Sequence, residues 1–206
     1  HREFVTHTGF LNKKRVSAIS TGIGTDNIDI VLNELDALVN INFDTRKENP
    51  QKKSLNLIRL GTSGALQANI KVDTFIASSY GLGFDNLAHF YSKKEVIEKA
   101  MSNAYIKHAN WPEELSTPYI IKASERLFSL FSDLKSGITA TAPGFYAPQG
   151  RTLRLEPSIT NLHEKMENFN FKNNYITNFE METSALYYLG RTLGHNTLTI
   201  CAIIGN

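Results

Sequence analysis

A single cysteine, Cys201, is all the thiol chemistry this chain of 206 residues carries. No disulfide can form within it, so the small cross-linked secreted scaffolds are excluded and a reducing, cytoplasmic setting is the expectation. No apolar run approaches the ~18 residues of a membrane-spanning helix, and no signal-peptide pattern is present. Neither sign of charge is in excess. The 22 Lys and Arg against 20 Asp and Glu leave a net charge of +2, which makes no electrostatic case for nucleic acid or a membrane surface. Metal-ligand spacings are missing too: there is no CxxC, no HExxH and no EF-hand loop, and no Ser sits in a nucleophile elbow. Internal repeats are absent. What remains is an ordinary globular composition, 41% hydrophobic and 20% charged, in a length that suits one domain with a real core.

Strand-like and helix-like segments alternate along the chain. Arg15–Ser20 reads as a strand that enters the turn Thr21-Gly22-Ile23-Gly24-Thr25. An amphipathic helix follows, with Ile28, Val31, Leu32, Leu35 and Leu38 on one face and Thr25 or Asp26 as its N-cap. Such a turn either presents backbone N–H groups to an anion or is simply a tight βα connection. The polar stretch Asn42–Ser54 reads as an exposed loop. Leu55–Leu60 and Val72–Tyr80 read as strands, Gly81–Tyr91 as a loop, and Lys93–His108 and Ala123–Leu134 as helices. Ser136–Ala142 is a further strand and Ser158–Phe171 a half-exposed helix. Thr183–Leu193 is a helix stopped by Gly194, and Thr197–Ile204 is the last strand. These segments predict an α/β fold.

Three places concentrate chemistry. Arg59 stands in apolar company near the end of its strand, followed by Gly61-Thr62-Ser63-Gly64-Ala65, which reads as a turn. A cation there is costly to bury unless an anion meets it, so the residues suggest either a phosphate or sugar-hydroxyl cradle or an Arg held by a structural carboxylate. The second place is Ala142–Arg151, kept from being a helix by Pro143, Gly144, Pro148 and Gly150. It carries the rings of Phe145 and Tyr146 and the planar heads of Gln149 and Arg151. A ring to stack on and a fork to read an edge suit a flat heterocycle such as a nucleobase; the alternative is a surface loop with a solvated Arg. The third is Glu180-Met181-Glu182 at a helix start. Negative charge there either complements the helix dipole or grips a sugar diol.

Five stretches in register, His1-Arg2-Glu3-Phe4, Ser20–Gly24, Ile58–Ala65, Phe145–Arg151 and Phe179–Glu182, resemble the nucleoside phosphorylase family of trimeric or hexameric fold, with the strongest likeness to its uridine branch. The resemblance covers about the first 80 residues and the last 70; residues 81–134 match no motif. It implies a three-layer α/β/α sandwich with a central mixed, partly barrel-like sheet, and one domain over residues 1–206 truncated at both ends. It also implies homodimer pairs building a homohexamer, and a cytoplasmic enzyme with no cofactor and inorganic phosphate as co-substrate. By the same resemblance Arg59 and Thr62 bind phosphate, with Arg2 reaching a neighbouring subunit's site. Thr62, Met181 and Glu182 hold ribose. Ser63, Gly64, Phe145, Gln149 and Arg151 take the base. Arg59, Arg151 and Glu182 are the catalytic set.

Glu3, Ile23 and Asn27 fall where some relatives hold a monovalent cation between subunits, although Asn27 stands where those relatives carry Ser. The family's glycine-rich phosphate loop, its neighbouring-subunit His and its C-terminal helix have no counterpart in these residues, and the Arg46–Lys53 loop is longer than the family pattern. Purine-specific relatives carry an Asp after the last strand; here Asn206 stands there, as in the uridine branch. The expected activity is reversible phosphorolysis of uridine. Its alternatives are a purine or broad-specificity phosphorylase, a water-using nucleosidase, and an inactive nucleoside-binding relative.

Overall fold

A computed structural model describes residues 4–206. The chain begins with a hairpin of β1 (Thr6–Leu11) and β2 (Lys14–Ile19), Thr6 facing Ile19 and Leu11 facing Lys14. Its two-residue turn, Asn12–Lys13, has both φ angles positive, 48° and 65°, the geometry that matches the right-handed twist of the flanking strands. The hairpin is exposed apart from Ile19, which is half-buried. β1 gave no alternating signal in the sequence, because Thr, His and Gly share it with Phe10 and Leu11.

Helix α1 (Thr25–Asn40) buries Ile28, Val31 and Leu32. Its N-cap is Gly24 rather than Thr25 or Asp26, which already lie inside the first turn. The expected polar loop contains one short antiparallel pairing, β3 (Ile41–Asn42) with β4 (Lys47–Glu48). β5 (Asn56–Ala65) and β6 (Phe75–Gly83) follow, then the short α2 (Leu87–Phe90), α3 (Lys99–Ala109), β7 (Tyr119–Lys122) and α4 (Glu125–Phe128). The second half holds β8 (Lys135–Thr141), α5 (Leu162–Glu167), β9 (Asn170–Phe171), β10 (Asn174–Glu180), α6 (Thr183–Leu193) and β11 (Asn196–Gly205).

Five strands close on themselves in the order β11-β5-β10-β8-β6 and back to β11. β5 runs parallel to β11, β10 parallel to β8 and β8 parallel to β6, while β5–β10 and β6–β11 are antiparallel. β7 extends the sheet from β6, and β9 from β10. The sheet is thus mixed and partly barrel-like, as expected. Helices cover both faces. α1 and α6 pack with Ile121, Leu198 and Ile200 on one side; α3 and α5 pack with Ile120, Ile138 and Ile176 on the other. The neighbours Ile120 and Ile121 serve opposite cores because successive strand residues point to opposite faces. Among the described residues no helix is long and apolar enough to cross a membrane.

Two departures from the sequence reading matter for the site. Gly61–Ala65 is not a turn: β5 continues through it to Ala65. The expected strand at Val72–Tyr80 is shifted, so Gly81–Gly83 belong to β6 rather than to a loop. The helices over 93–108, 123–134 and 158–171 are shorter than their apolar patterns suggest. Residues 129–131 tighten into a 3₁₀ turn, and α5 keeps only six residues.

Candidate active site

Arg59 projects from β5 toward the junction of β10 and α6. Its side chain is only 15% exposed, and two carboxylates meet it. Nη1 lies 3.1 Å from Glu180 Oε2, and Nη2 donates to Glu182 Oε2. The two glutamates divide the roles that sequence left open. Glu180, the last residue of β10, accepts the backbone N–H of Glu182 at 3.0 Å and that of Thr183 at 3.1 Å, so it caps α6. Its Oε1 also accepts from Thr141 Oγ1 at 2.7 Å, and Thr141 Oγ1 in turn accepts from the Ser184 N–H at 2.9 Å. Glu182 is turned away from the helix backbone. Its Oε1 accepts the N–H of Gly24 at 2.6 Å. The Gly22–Gly24 turn therefore does present a backbone donor to an anion, and the anion is this carboxylate. Gly24 has φ of 102°, a conformation closed to most L-residues.

One guanidinium thus sits among two buried carboxylates. Burial opposes the Arg59 charge, but Glu180 and Glu182 together outweigh it and hold the guanidinium above its ordinary pKa. Glu182 is pushed up: burial raises it most, Glu180 adds repulsion, and Arg59 and the Gly24 N–H only partly offset them. Arg59 Nη1 also approaches Cys201 Sγ at 3.6 Å. Burial drives that thiol up to about 12, so it is a neutral wall of the site rather than a nucleophile.

A second cluster forms on the Ala142–Arg151 loop, whose residues 147–149 make a 3₁₀ turn. Arg151 Nη1 donates to the Phe145 carbonyl at 2.7 Å and to Gln149 Oε1. Its guanidinium carbon lies 4.0 Å from the centre of the Phe145 ring and 5.3 Å from that of Phe179. Cation–π attraction holds the planar fork between two aromatic faces. Phe179 pairs with Gly64 across β10 and β5, and a side chain at Gly64 would place its Cβ 2.8 Å from that ring. Gly64, Phe145, Gln149 and Arg151 are therefore brought together, around an aromatic to which the sequence assigned no role.

Consecutive residues at the end of β10 serve the two clusters, Phe179 the aromatic one and Glu180 the ionic one. Ser63 is buried, and its Oγ accepts from Asn178 Nδ2 at 2.9 Å. That bond belongs to a chain of polar side chains running Asn178, Thr139, Ser78 across β10, β8 and β6. Met181 is half-buried at the strand–helix junction. Thr62 is exposed and points to the side of β5 opposite Arg59, so the structure does not bring it to the ionic cluster. Arg2 and Glu3 lie outside the described residues. The Asn27 amide donates to the Ile23 carbonyl at 2.9 Å. Asn206 Nδ2 donates to the Ile70 carbonyl at 3.0 Å. A cavity of about 310 Å³ lies at the other end of β8 and β10, lined by Tyr80, Lys122, Ser136 and Asn174 among others, and touches neither cluster.

Sequence missed Phe179 because no strand was expected over residues 174–180, and β10 is what sets that ring against Gly64 and Arg151. It missed the Gly24–Glu182 bond because nothing local links positions 158 residues apart. The available signal was the pairing logic itself: a buried Arg requires carboxylates, and Glu180 and Glu182 were the pair in apolar surroundings.

A family model described as "Phosphorylase superfamily" matches residues 1–206. The chain is similar to a uridine phosphorylase of Thermococcus kodakarensis, 29% identical over 209 residues that cover all of this chain and 63% of that protein. It is also similar to a DeoD-type purine nucleoside phosphorylase of Caldanaerobacter subterraneus subsp. tengcongensis, 27% identical over 95% of this chain and 66% of that one. The chain thus spans just under two thirds of the length of these two curated relatives. Among solved structures, a Trypanosoma brucei nucleoside phosphorylase, described as showing uridine phosphorylase activity, superposes with a TM-score of 0.84 at 25% identity. The match covers 99% of this chain and 75% of that one.

Proposed function

The chain belongs to the phosphorylase superfamily, and on that footing we propose that it catalyses the reversible phosphorolysis of uridine to uracil and ribose 1-phosphate. The observation that carries the reading is the Gln149–Arg151 pair held against Phe145 and Phe179. An amide and a guanidinium side by side suit the adjacent carbonyl and N–H edge of a pyrimidine, and an exposed ring suits its face.

In the forward reaction a phosphate oxygen attacks C1′ as the C1′–N1 bond breaks. The electron pair of that bond leaves with uracil, which then takes a proton. No covalent enzyme intermediate is required, so the protein's contribution is positioning and electrostatics. Arg59, with a neighbouring subunit's Arg2, binds phosphate. Met181 and Glu182 hold the ribose. Ser63, Gly64, Phe145, Gln149 and Arg151 take the base, and Arg151 stabilises the negative charge that grows on the leaving uracil. Glu182 is bonded to Arg59 and to Gly24. Phosphate at Arg59 offers the guanidinium a second anion and releases Glu182 to accept hydroxyl hydrogen bonds from the sugar. The reaction needs no cofactor beyond phosphate, and the chain works as a self-assembled oligomer built from dimers.

Replacing Arg151 by Ala lowers kcat/KM for uridine phosphorolysis by about 10²–10³-fold, the usual effect of losing a preorganised donor at a developing charge. The melting temperature changes little, because the side chain reaches out over the loop rather than into either core. Near-normal turnover in this variant would sink the assignment. Similarity to the purine enzyme supports a second reading, phosphorolysis of purine nucleosides; comparing inosine with uridine at one phosphate concentration separates them.

A further inference from the structure

We propose that His163 is a positioning residue for the base-reading side of the site, clamping the Gln149–Arg151 turn to the body of the protein. The inference rests on the functional reading above and extends it to a residue that neither the motif pattern nor the ionic cluster includes.

The loop's own hydrogen bonds define its shape but not its place. Gln149 N–H and Arg151 N–H both donate to the Tyr146 carbonyl at 2.9 Å, and Gly150 N–H donates to Ala147 O at 2.9 Å, all within one turn. Beyond Arg151 the chain runs exposed through residues 152–156, with Leu153 and Leu155 in solvent. That connection gives the turn no rigid support from its C-terminal side. His163 supplies a tie across it. Its Nε2 donates to the Gln149 carbonyl, and its ring centre lies 5.4 Å from that of Phe179. Gly150, at φ of 72°, lets the imidazole come close: a Cβ there would lie 3.1 Å from His163 Cδ2.

The anchor behind His163 is firm. α5 is short, but Leu162 and Met166, one turn apart, are buried in the same core as Phe179, Ala142 and Phe169. His163 therefore connects a core-mounted helix to the carbonyl of the residue whose side chain holds Arg151. It acts through Gln149 and touches no reacting atom. Because a carbonyl only accepts, Nε2 carries a proton in this bond, whether the ring is the neutral tautomer or the imidazolium. A clamp of this kind only has to keep that proton on Nε2, whereas a proton-transfer role would have to give it up.

Three variants of the full-length protein separate the donor from the ring: His163→Gln keeps a donor amide at similar reach, His163→Phe keeps the ring without it, and His163→Ala loses both. The expected result is a fall of about tenfold in kcat/KM for uridine in the Phe and Ala variants, the size of one well-placed hydrogen bond. The KM for phosphate stays unchanged, and the Gln variant recovers most of the activity. The pH–rate profile keeps its shape in all three. In parallel, amide hydrogen exchange at Gly150 and Arg151 accelerates in the Ala and Phe variants and not in the Gln variant. Wild-type kinetics and exchange in His163→Ala overturn the proposal, as does a displaced pH profile in His163→Gln. If the wild-type protein fails to phosphorolyse uridine, the functional reading falls, and the exchange measurement still decides the clamp.

Discussion

A methyl group at position 61 would lie 2.4 Å from Arg59 Nη1 and 2.7 Å from Nη2. The glycine that looked like a turn former is therefore there to let a guanidinium lie flat against its own strand, a known use of glycine in strand interiors. Because the obstructing group is the end of a flexible side chain, Gly61→Ala moves Arg59 rather than breaking β5. Moving it pulls Nη1 and Nη2 off Glu180 and Glu182, leaving two buried carboxylates with a poorer partner. The variant is expected to lose about 1–3 kcal/mol of stability, the usual range for an overpacked site. Its KM for phosphate rises about tenfold or more, since a small misplacement of a binding group is amplified in catalysis. Denaturant melts and phosphate saturation curves measure both; an unchanged phosphate KM contradicts the placement of Arg59. At this scale the sequence was legible where a residue type was out of place. Arg59 in apolar company called for an anion or a structural carboxylate, and the structure supplies Glu180 and Glu182. The same sequence could not say that Glu180 caps the helix while Glu182 faces the site. That division depends on where β10 ends, a matter of one residue.

Elements were legible where periodicity and stop signals agreed. Thr183–Leu193 reads as a helix with Ala185, Leu186, Leu189 and Leu193 inward; α6 spans those residues, buries the first three, leaves Leu193 half-buried and is ended by Gly194 at φ of 83°. Where apolar spacing stood alone the reading overran. Leu127, Leu130, Phe131 and Leu134 suggest a long helix, yet regular α geometry stops at Phe128 because the chain must turn back to start β8 at Lys135. Packing between elements was not legible, and α6 on β11 shows why. At Gly190 a Cβ would sit 2.1 Å from Thr197 Cγ2, so the helix rides closer to the strand than any other residue permits. Alanine is the better helix former by about 1 kcal/mol. Gly190→Ala nevertheless destabilises by about 1–3 kcal/mol, because the neighbour it meets is a β-branched side chain buried in a sheet, with no room to turn away. Adding Thr197→Ser removes the Cγ2 methyl and restores much of the loss. Urea midpoints for the two single variants and the double test this; a single Gly190→Ala variant as stable as wild type rules out the tight contact.

For the molecule as a whole, the alternation of strands and helices, with cores on both faces of the sheet, was expected and is found. Closure of five strands through the β6–β11 pairing needs contacts between Phe75–Ala77 and Ile200–Ala202, over 120 residues apart, which no local pattern reports. One histidine sits where this long-range assembly is joined. His195, buried at the start of β11, accepts the Leu55 N–H on Nδ1 at 3.2 Å, and its Nε2 lies 3.2 Å from Asp36 Oδ1 on α1. It thereby ties the chain entering β5 to β11, with Asp36 of α1 set beside the ring. Burial pushes its pKa below the ordinary histidine value, and the attraction of Asp36 does not make up the difference. The geometry agrees, because a proton on Nδ1 would face the Leu55 N–H. The unfolded chain, with an ordinary value near about 6.5, therefore binds this proton more readily than the native one. The contribution of neutral His195 to stability is complete above that pH, and it is lost as the pH falls from there toward the depressed native value. Glu182, whose native pKa is raised, acts in the opposite sense at the carboxylate end of the scale. Comparing wild type with His195→Gln isolates the histidine. Wild-type unfolding free energy should fall on acidification below about pH 6.5 with up to one proton's worth of extra slope, about 1.4 kcal/mol per pH unit, and the variant should lack that component. Denaturant titrations across this range measure the two slopes, and parallel curves would show that His195 titrates alike in the folded and unfolded chain.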